Sequence, residues 1–460
     1  MTTPAQAAPS SEAPLGRALV ALTVLALALR VAYLLLEPGC ALTGDEPSWV
    51  ELGRRVSRRA VAFSPFRSDL VFYPPVYPYF VGAFFRAFGT MRAVLWAQVV
   101  LGALLVPVVG RAGALAFGRP VGLLAAAATA FYPELLWYPA HYWSETVYLL
   151  LLWGAVERTL AADARGSRGA AAAGGLLWGL ATLTRELSLY LVPIAALWLL
   201  RPRPGDAAAR GRPGGLRPPA GGLARAALLV LVAALTVAPW TIRNAIVFRA
   251  FIPVSTMGGL NLWQGNTTLT HLQIYEVLAT KGGAVEQDRY CRQMARETIA
   301  SRQPAWVLEK LGEQMPEFWK VGSEVLDHLA GRKACGSLPP ARLVPIELVL
   351  VVPYLAALGL FLVGLARGRF TSGALFLLVL LAAYNAAHVV AYATTRFRLP
   401  VLPVVFMVAA AVVVGPRHST LLPLRGWRLV LLGALVLAAL ATLAPGLEEL
   451  AAWRLLAGAV

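Results

Sequence analysis

Charge is scarce in this 460-residue chain: 14% of its residues are Asp, Glu, Lys or Arg, and 58% are hydrophobic. A soluble domain carries about a quarter charged residues and is about half apolar. That shortage excludes an ordinary soluble domain and implies a polytopic membrane protein. Cysteine is scarcer still, with Cys40, Cys291 and Cys335 making up the total of 3. Three cysteines exclude a disulfide framework, and no CxxC or His/Cys spacing suits a metal site. Pairing of Cys291 with Cys335 stays open, because both fall in one long loop. Acid is also the minority sign: 24 Asp and Glu stand against 41 Lys and Arg, for a net charge of +17. Nucleic acid is a poor explanation for that excess. Much of it is Arg in short segments between apolar runs, where positive charge holds loops in the cytoplasm. Residues 1–14 lack a basic leader region and a clear cleavage site, so the first apolar run reads as a retained helix.

Apolar windows and turn residues give about eleven crossings. They lie near 15–36, 93–111, 121–139, 146–162, 170–184, 188–200, 226–243, 345–366, 371–392, 399–415 and 428–445. The run at 188–200 is short for a full crossing. Orientation follows from Arg. Segment 201–225 holds Arg201, Arg203, Arg210, Arg212, Arg217 and Arg225 against Asp206, with many Pro and Gly, and reads as a cytoplasmic linker. Arg165 with Arg168, Arg367 with Arg369, and Arg417 with Arg425 and Arg428 mark three further inside loops. All agree with an inside N-terminus, which places 244–344 outside. The first outer loop, 37–92, carries Arg54, Arg55, Arg58 and Arg59 against that trend. From Pro47, however, Trp49, Val50, Leu52 and Val56 recur at helical spacing opposite those arginines. That pattern suits an amphipathic helix lying on the membrane. The organisation is then a transmembrane module at 1–243 that includes the loop 37–92, a cap at 244–344, and C-terminal helices at 345–460.

Five polar clusters fall on the outer side: Asp45-Glu46, His141 to Glu145, Arg185-Glu186, the loop opening at Pro239 and running past Asn266, and Thr395 to Pro400. Ionisable groups beside hydrocarbon are costly and point to function. Carboxylates and arginines together suit one kind of chemistry, in which a base takes a proton from an acceptor while cations hold an anionic leaving group. Each cluster also has a structural account. Asp45 would cap the surface helix that Pro47 opens. Glu145 would be a solvated loop acid, and Arg185 would pair locally with Glu186. Arg396 and Arg398 would snorkel to headgroups, or clamp a phosphate in bidentate fashion. Trp263 would stack on a sugar or lie at the interface. The Gly-rich stretch 258–266 lacks the strand–helix context of a nucleotide site. His141 has no His or Cys partner nearby in sequence, so it is not assigned to a metal. Residues 69–80, rich in Pro and aromatics, suit a rigid interfacial segment, and 287–320 is helix-like with an apolar stripe.

These clusters, in this order, resemble the lipid-dependent GT-C glycosyltransferases of the family 39 group, which includes protein O-mannosyltransferases and the lipid A aminoarabinose transferases. The resemblance runs from Gly44-Asp45-Glu46 through Tyr73-Pro74-Pro75-Val76-Tyr77-Pro78, Ser144-Glu145-Thr146, Leu183-Thr184-Arg185 and Pro239-Trp240-Thr241-Ile242-Arg243-Asn244. It continues through Gly259-Leu260-Asn261-Leu262-Trp263-Gln264-Gly265-Asn266 to Arg396-Phe397-Arg398-Leu399-Pro400. It implies an all-α polytopic GT-C membrane fold of about eleven transmembrane helices, with interfacial helices in the first outer loop and a small extracytoplasmic cap. It further implies a multi-pass protein of the cell (inner) membrane with an extracytoplasmic active site. The donor would be a polyprenyl-phosphate sugar, the acceptor a lipid or glycan, and the transfer inverting. No cofactor is expected, and assistance by a metal stays open. By motif position Asp45 is the base, with Glu46 and Glu145 as the other catalytic carboxylates. Arg185, Arg396 and Arg398 hold the donor phosphate, and Tyr73, His141, Arg243, Asn261 and Trp263 contact substrate. Two departures from the family pattern stand out. The cap spans only 244–344, which weakens protein O-mannosylation, and Glu145 stands where many relatives carry Asp. The rival class is a transporter or flippase of a lipid-linked saccharide. It would need repeated halves and polar groups midway along the helices.

Overall fold

The computed structural model describes residues 12–37, 42–58, 71–201, 221–330, 340–368, 370–415 and 424–458. Cys40, Cys335, Asp69, Arg369, Arg417 and most of the Arg-rich linker lie outside them. Among the described residues the chain is helical throughout, with no strand. The first half holds α1 (Glu12–Leu36), α2 (Glu46–Arg58), α3 (Val76–Phe88), α4 (Arg92–Phe117), α5 (Arg119–Phe131), α6 (Pro133–Trp137), α7 (Glu145–Arg165), α8 (Arg168–Thr182), α9 (Ser188–Leu200) and α10 (Gly222–Phe248). The outer loop forms α11 (Met257–Gln264), α12 (His271–Ala279), α13 (Ala284–Ser301), α14 (Ala305–Trp319) and α15 (Glu324–Ala330). Last come α16 (Pro340–Arg367), α17 (Ser372–Val390), a 3-10 turn at Thr395–Val401, α18 (Leu402–Val414) and α19 (Trp427–Gly458).

Among the described residues six helices are long and apolar enough to cross a membrane: those covering Leu15–Leu36, Arg92–Phe117, Gly222–Phe248, Leu343–Arg367, Ser372–Val390 and Thr395–Val414. Arg119–Phe131, Ser188–Leu200 and Trp427–Leu443 are shorter apolar helices. Their burial separates centre from rim. In the apolar window of Thr395–Val414, 83% of residues are buried within the protein, against 22% for Leu15–Leu36. A helix that is apolar all round belongs in a core, and α18 is that core helix. α1 turns a broad face outward, as lipid contact requires.

Close helix approach rests on small residues. A side chain at Gly175 of α8 would lie 2.4 Å from the Leu229 carbonyl of α10. One at Gly122 of α5 would lie 2.4 Å from the Gly110 carbonyl of α4. Small residues at such crossings let backbones meet where no water drives association.

One expected span is broken. The run 121–139 does not form a single helix: α5 stops at Phe131, and Tyr132 is extended at φ −64°, ψ 122° before Pro133 restarts α6. Proline disfavours helical geometry in the residue before it. The break leads into a 3-10 turn at Tyr138–Ala140 and turns Glu134 inward. The surface helix expected from Pro47 is present as α2, with Trp49, Val50 and Leu52 buried and Arg54, Arg55 and Arg58 exposed. It packs on α3, and α3 on α4.

The outer-loop helices have their own small core of Leu260, Trp263, Ile274, Leu278, Cys291 and Ala295. Gly265 and Asn266 dock this cap on α17: the Asn266 amide donates to the Val390 carbonyl at 2.9 Å. A side chain at Gly265 would strike the Ala391 carbonyl at 1.4 Å.

Candidate active site

At one end of the bundle five segments converge: the start of α2, the start of α7, the turn between α8 and α9, the α14–α15 junction, and the 3-10 turn before α18. Asp45 stands just ahead of α2, where a helix cap would sit. Its carboxylate goes elsewhere, accepting from Arg396 Nη1 at 2.8 Å, and the cap reading therefore does not describe its contact. The two side chains differ in access, Asp45 being 41% exposed and Arg396 18%. The Arg396 guanidinium lies over Trp143, 4.8 Å from its ring centroid, and over Phe397 at 5.1 Å. Gly44, at φ 57°, brings the chain against the same Trp143 ring. An aromatic floor holds a cation without neutralising it, so Arg396 keeps its charge beside Asp45.

Glu145 opens α7 and is buried. It pairs with Arg185 of the α8–α9 turn, not with a solvent-facing partner, and its other oxygen has no hydrogen-bond partner among the described residues. Arg185 also donates to Ser144 Oγ at 3.4 Å and lies 5.5 Å from the Phe397 centroid. Arg185 and Arg396 thus both lie near one aromatic ring, which His388 of α17 stacks upon at 4.4 Å. The local Arg185–Glu186 pair does not form. Glu186 instead accepts from Ser255 Oγ at 2.7 Å, and burial pushes its carboxyl up to about 7.

Glu46, expected among the catalytic carboxylates, is buried and fully used. It accepts from the Thr43 N–H at 3.0 Å and the Tyr142 N–H at 2.9 Å, with His141 Nδ1 at 3.6 Å. Burial alone would raise this carboxyl. The His141 contact and the two backbone donors outweigh it and hold the group below its ordinary value. His141 stacks on Trp137 at 3.9 Å and faces His328 of α15 at 4.9 Å. His328 in turn meets Thr43 Oγ1 at 2.6 Å, and burial and the nearby His141 depress its basicity.

Arg396 and Arg398, expected as a paired clamp, are divided. Arg398 is 1% exposed and points inward. It donates to Glu134 Oε1 at 3.2 Å and to the Lys320 and Gly322 carbonyls at 2.6 Å each, and lies over Tyr354. In a 3-10 turn, residues two apart leave in different directions, and the broken α5–α6 segment supplies the acid that draws Arg398 in.

Of the expected substrate contacts, Tyr73 is at the site. Burial raises its hydroxyl, and the charges of Asp45 and Arg396 also reach it. His141 belongs to the Glu46 network just described. Asn261 is half-buried on α11. Trp263 is a correction: it is buried in the cap core against Tyr290 at 5.5 Å and offers no platform to a sugar. Arg243 is another, packed on Trp240 and Phe248 and bonded to Asn244 at 2.9 Å.

Sequence reasoning missed several neighbours. Glu134 had a usable signal, an acid inside an apolar run. Trp143 and Phe397 stand inside two of the expected clusters without a role assigned to them, and His388 has no signal beyond being aromatic. Glu324 of α15 lies near enough to Arg396 to act on its charge, and Tyr275 of α12 near enough to feel Asp45. Among the described residues no three His, Cys, Asp or Glu side chains are placed to hold a metal ion.

No protein family's sequence profile and no curated protein matches this chain. Solved structures do. The Archaeoglobus fulgidus oligosaccharyltransferase in its apo form is 14% identical, with a TM-score of 0.52, over 96% of this chain and 56% of that one. The archaeal oligosaccharyltransferase AglB from Archaeoglobus fulgidus, in complex with an inhibitory peptide and a dolichol-phosphate, is 12% identical, with a TM-score of 0.53, over 95% and 55%. ArnT from Cupriavidus metallidurans bound to undecaprenyl phosphate aligns at 13% identity, with a TM-score of 0.41, over 88% and 79%. This chain spans about half the length of the oligosaccharyltransferase chains it matches. What the likeness shows is the fold: an all-helical, multi-pass membrane protein with the GT-C architecture.

Proposed function

We propose that this protein is a membrane glycosyltransferase that moves a sugar from a polyprenyl-phosphate donor to a hydroxyl of a lipid or glycan acceptor, with inversion, on the extracytoplasmic side. The observation that carries the reading is the Asp45–Arg396 pair, 2.8 Å apart, with the carboxylate open to solvent and the cation seated on aromatic rings. The structural neighbour AglB, solved with a dolichol-phosphate, supports a lipid-phosphate ligand for this fold.

The donor phosphate competes with Asp45 for Arg396. When it binds, Arg396 turns its charge-assisted bonds to phosphate, with Arg185, also beside Phe397, reinforcing it. Asp45 is released beside the acceptor. The acceptor oxygen then attacks the anomeric carbon from the face opposite the phosphate. The bond from that carbon to the phosphate oxygen breaks, polyprenyl phosphate leaves with the electron pair, and the hydroxyl proton passes to Asp45. Glu145 holds Arg185 in place. Glu46, through Thr43 and Tyr142, fixes the start of α2 and so the position of Asp45. Arg398 is assigned to folding and left out of the phosphate set.

Reconstituted protein supplied with polyprenyl-phosphate pentose and hexose donors tests this by release of polyprenyl phosphate. Asp45→Asn is expected to slow release on the order of 10²- to 10⁴-fold, the usual worth of a general base. An Asp45→Asn protein with normal turnover would contradict the assignment.

A further inference from the structure

A second charged feature lies outside this site. A cleft of about 660 Å³ opens between the turn that follows α10 and one face of α13. Arg249 and Phe251 line one side, and Arg289, Arg292 and Arg296 the other. Arg249 closes α10 in the left-handed region at φ 50°, and there the chain turns toward α13.

On α13, Arg292 follows Arg289 by three residues and precedes Arg296 by four, so all three share a face. Like charges at those spacings repel. Two acids also line the cleft: Asp288 accepts from Arg292 Nε at 2.9 and 3.0 Å, and Glu297 accepts from Gln293 and, among the described residues, from no arginine, so four arginines face two carboxylates. Arg249, Arg289 and Arg296 have no hydrogen bond or ion pair among the described residues. Three unpaired guanidinium groups facing one cavity are complementary to an anionic group, and phosphate is the group their planar forks fit best.

The setting selects the source. The cleft begins immediately beyond Phe248, the end of a helix long enough to span the membrane. Its last turns present Ile242 and Ile246 outward, Ile246 at 69% exposure, and Phe251 at the rim is 82% exposed. Apolar side chains next to free arginines mark headgroup depth, where the first meet acyl chains and the second meet phosphate.

We infer that the cleft between the α10–α11 turn and α13 is a binding site for a phosphate-bearing lipid headgroup, separate from the Asp45–Arg396 site. The test is thermal unfolding and native mass spectrometry of the detergent-solubilised full-length protein with phosphatidylglycerol, with diacylglycerol of the same chains, or with inorganic phosphate. Phosphatidylglycerol is expected to bind and stabilise, and diacylglycerol to do neither. Arg289→Gln/Arg296→Gln should weaken phosphatidylglycerol binding on the order of tenfold or more. Both side chains are exposed, so the variant should fold, and its lipid-free melting temperature should not fall. Equal phosphatidylglycerol binding by the variant and the natural protein overturns the site. Inorganic phosphate binding as tightly as phosphatidylglycerol overturns the lipid source. The readout is binding, so it stands whether or not the protein transfers sugar.

Discussion

At the scale of residues, two arginines separated by one position carry opposite duties. Arg396 faces an open carboxylate, whereas Arg398 is enclosed by Glu134 and two carbonyls. Their alanine variants should therefore fail differently. Arg396→Ala should fold and lose donor use, worth roughly 1.5–3 kcal/mol for a charge-assisted bond, and Arg396→Lys should recover only part of it. Arg398→Ala leaves Glu134 charged and buried without a partner, which costs about 3 kcal/mol or more of stability. Thermal unfolding and donor turnover, measured on both variants, check the split. Two variants with the same pattern of loss would contradict it. The sequence placed Asp45, Arg185 and Arg396 at one end of the bundle from charge asymmetry and motif order. It could not divide Arg396 from Arg398, because that depends on a broken helix far away in sequence presenting Glu134. Trp263 and Arg243 were misjudged for a related reason: a polar or aromatic side chain in an outer loop reads alike whether it faces a ligand or packs in a small cap core.

At the scale of elements, most helices were legible from apolar length, because about 20 residues are needed to cross a bilayer and little else can lie there. The break at Tyr132–Pro133 was hidden inside a continuous apolar run. The cap's attachment was equally unreadable, since it rests on a glycine contact and a few polar bonds. One of those bonds should make docking depend on pH. Glu186 meets Ser255 and the α13 residues Arg292 and Asp288, and its carboxyl is raised from 4.5 to about 7 by burial. The folded state then holds a proton that the unfolded state has released, so stability falls as pH rises from about 4.5 to 7 and levels off above. Glu186→Gln should flatten that slope in thermal unfolding across the same range. An unchanged slope would show that Glu186 does not titrate there. Gly265→Ala should loosen the cap more directly by driving a methyl group into the Ala391 carbonyl, and hydrogen exchange in α11 should rise.

At the scale of the whole molecule, the proposed extracytoplasmic site requires the Arg-rich linker and the cap to lie on opposite sides of the membrane. Cysteines introduced at Gly214 and at Gly283 should label from opposite sides, and labelling from one side would reverse or break the topology. The proposed transfer also requires a local event, that a lipid phosphate take Arg396 away from Asp45. A cryo-electron microscopy map of the reconstituted protein with undecaprenyl phosphate measures this directly. Phosphate density is expected within hydrogen-bond reach of Arg396 Nη1 and close to Arg185, with the Asp45 carboxylate released and open to solvent. Phosphate density away from Arg396, with the 2.8 Å Asp45–Arg396 pair intact, would contradict it.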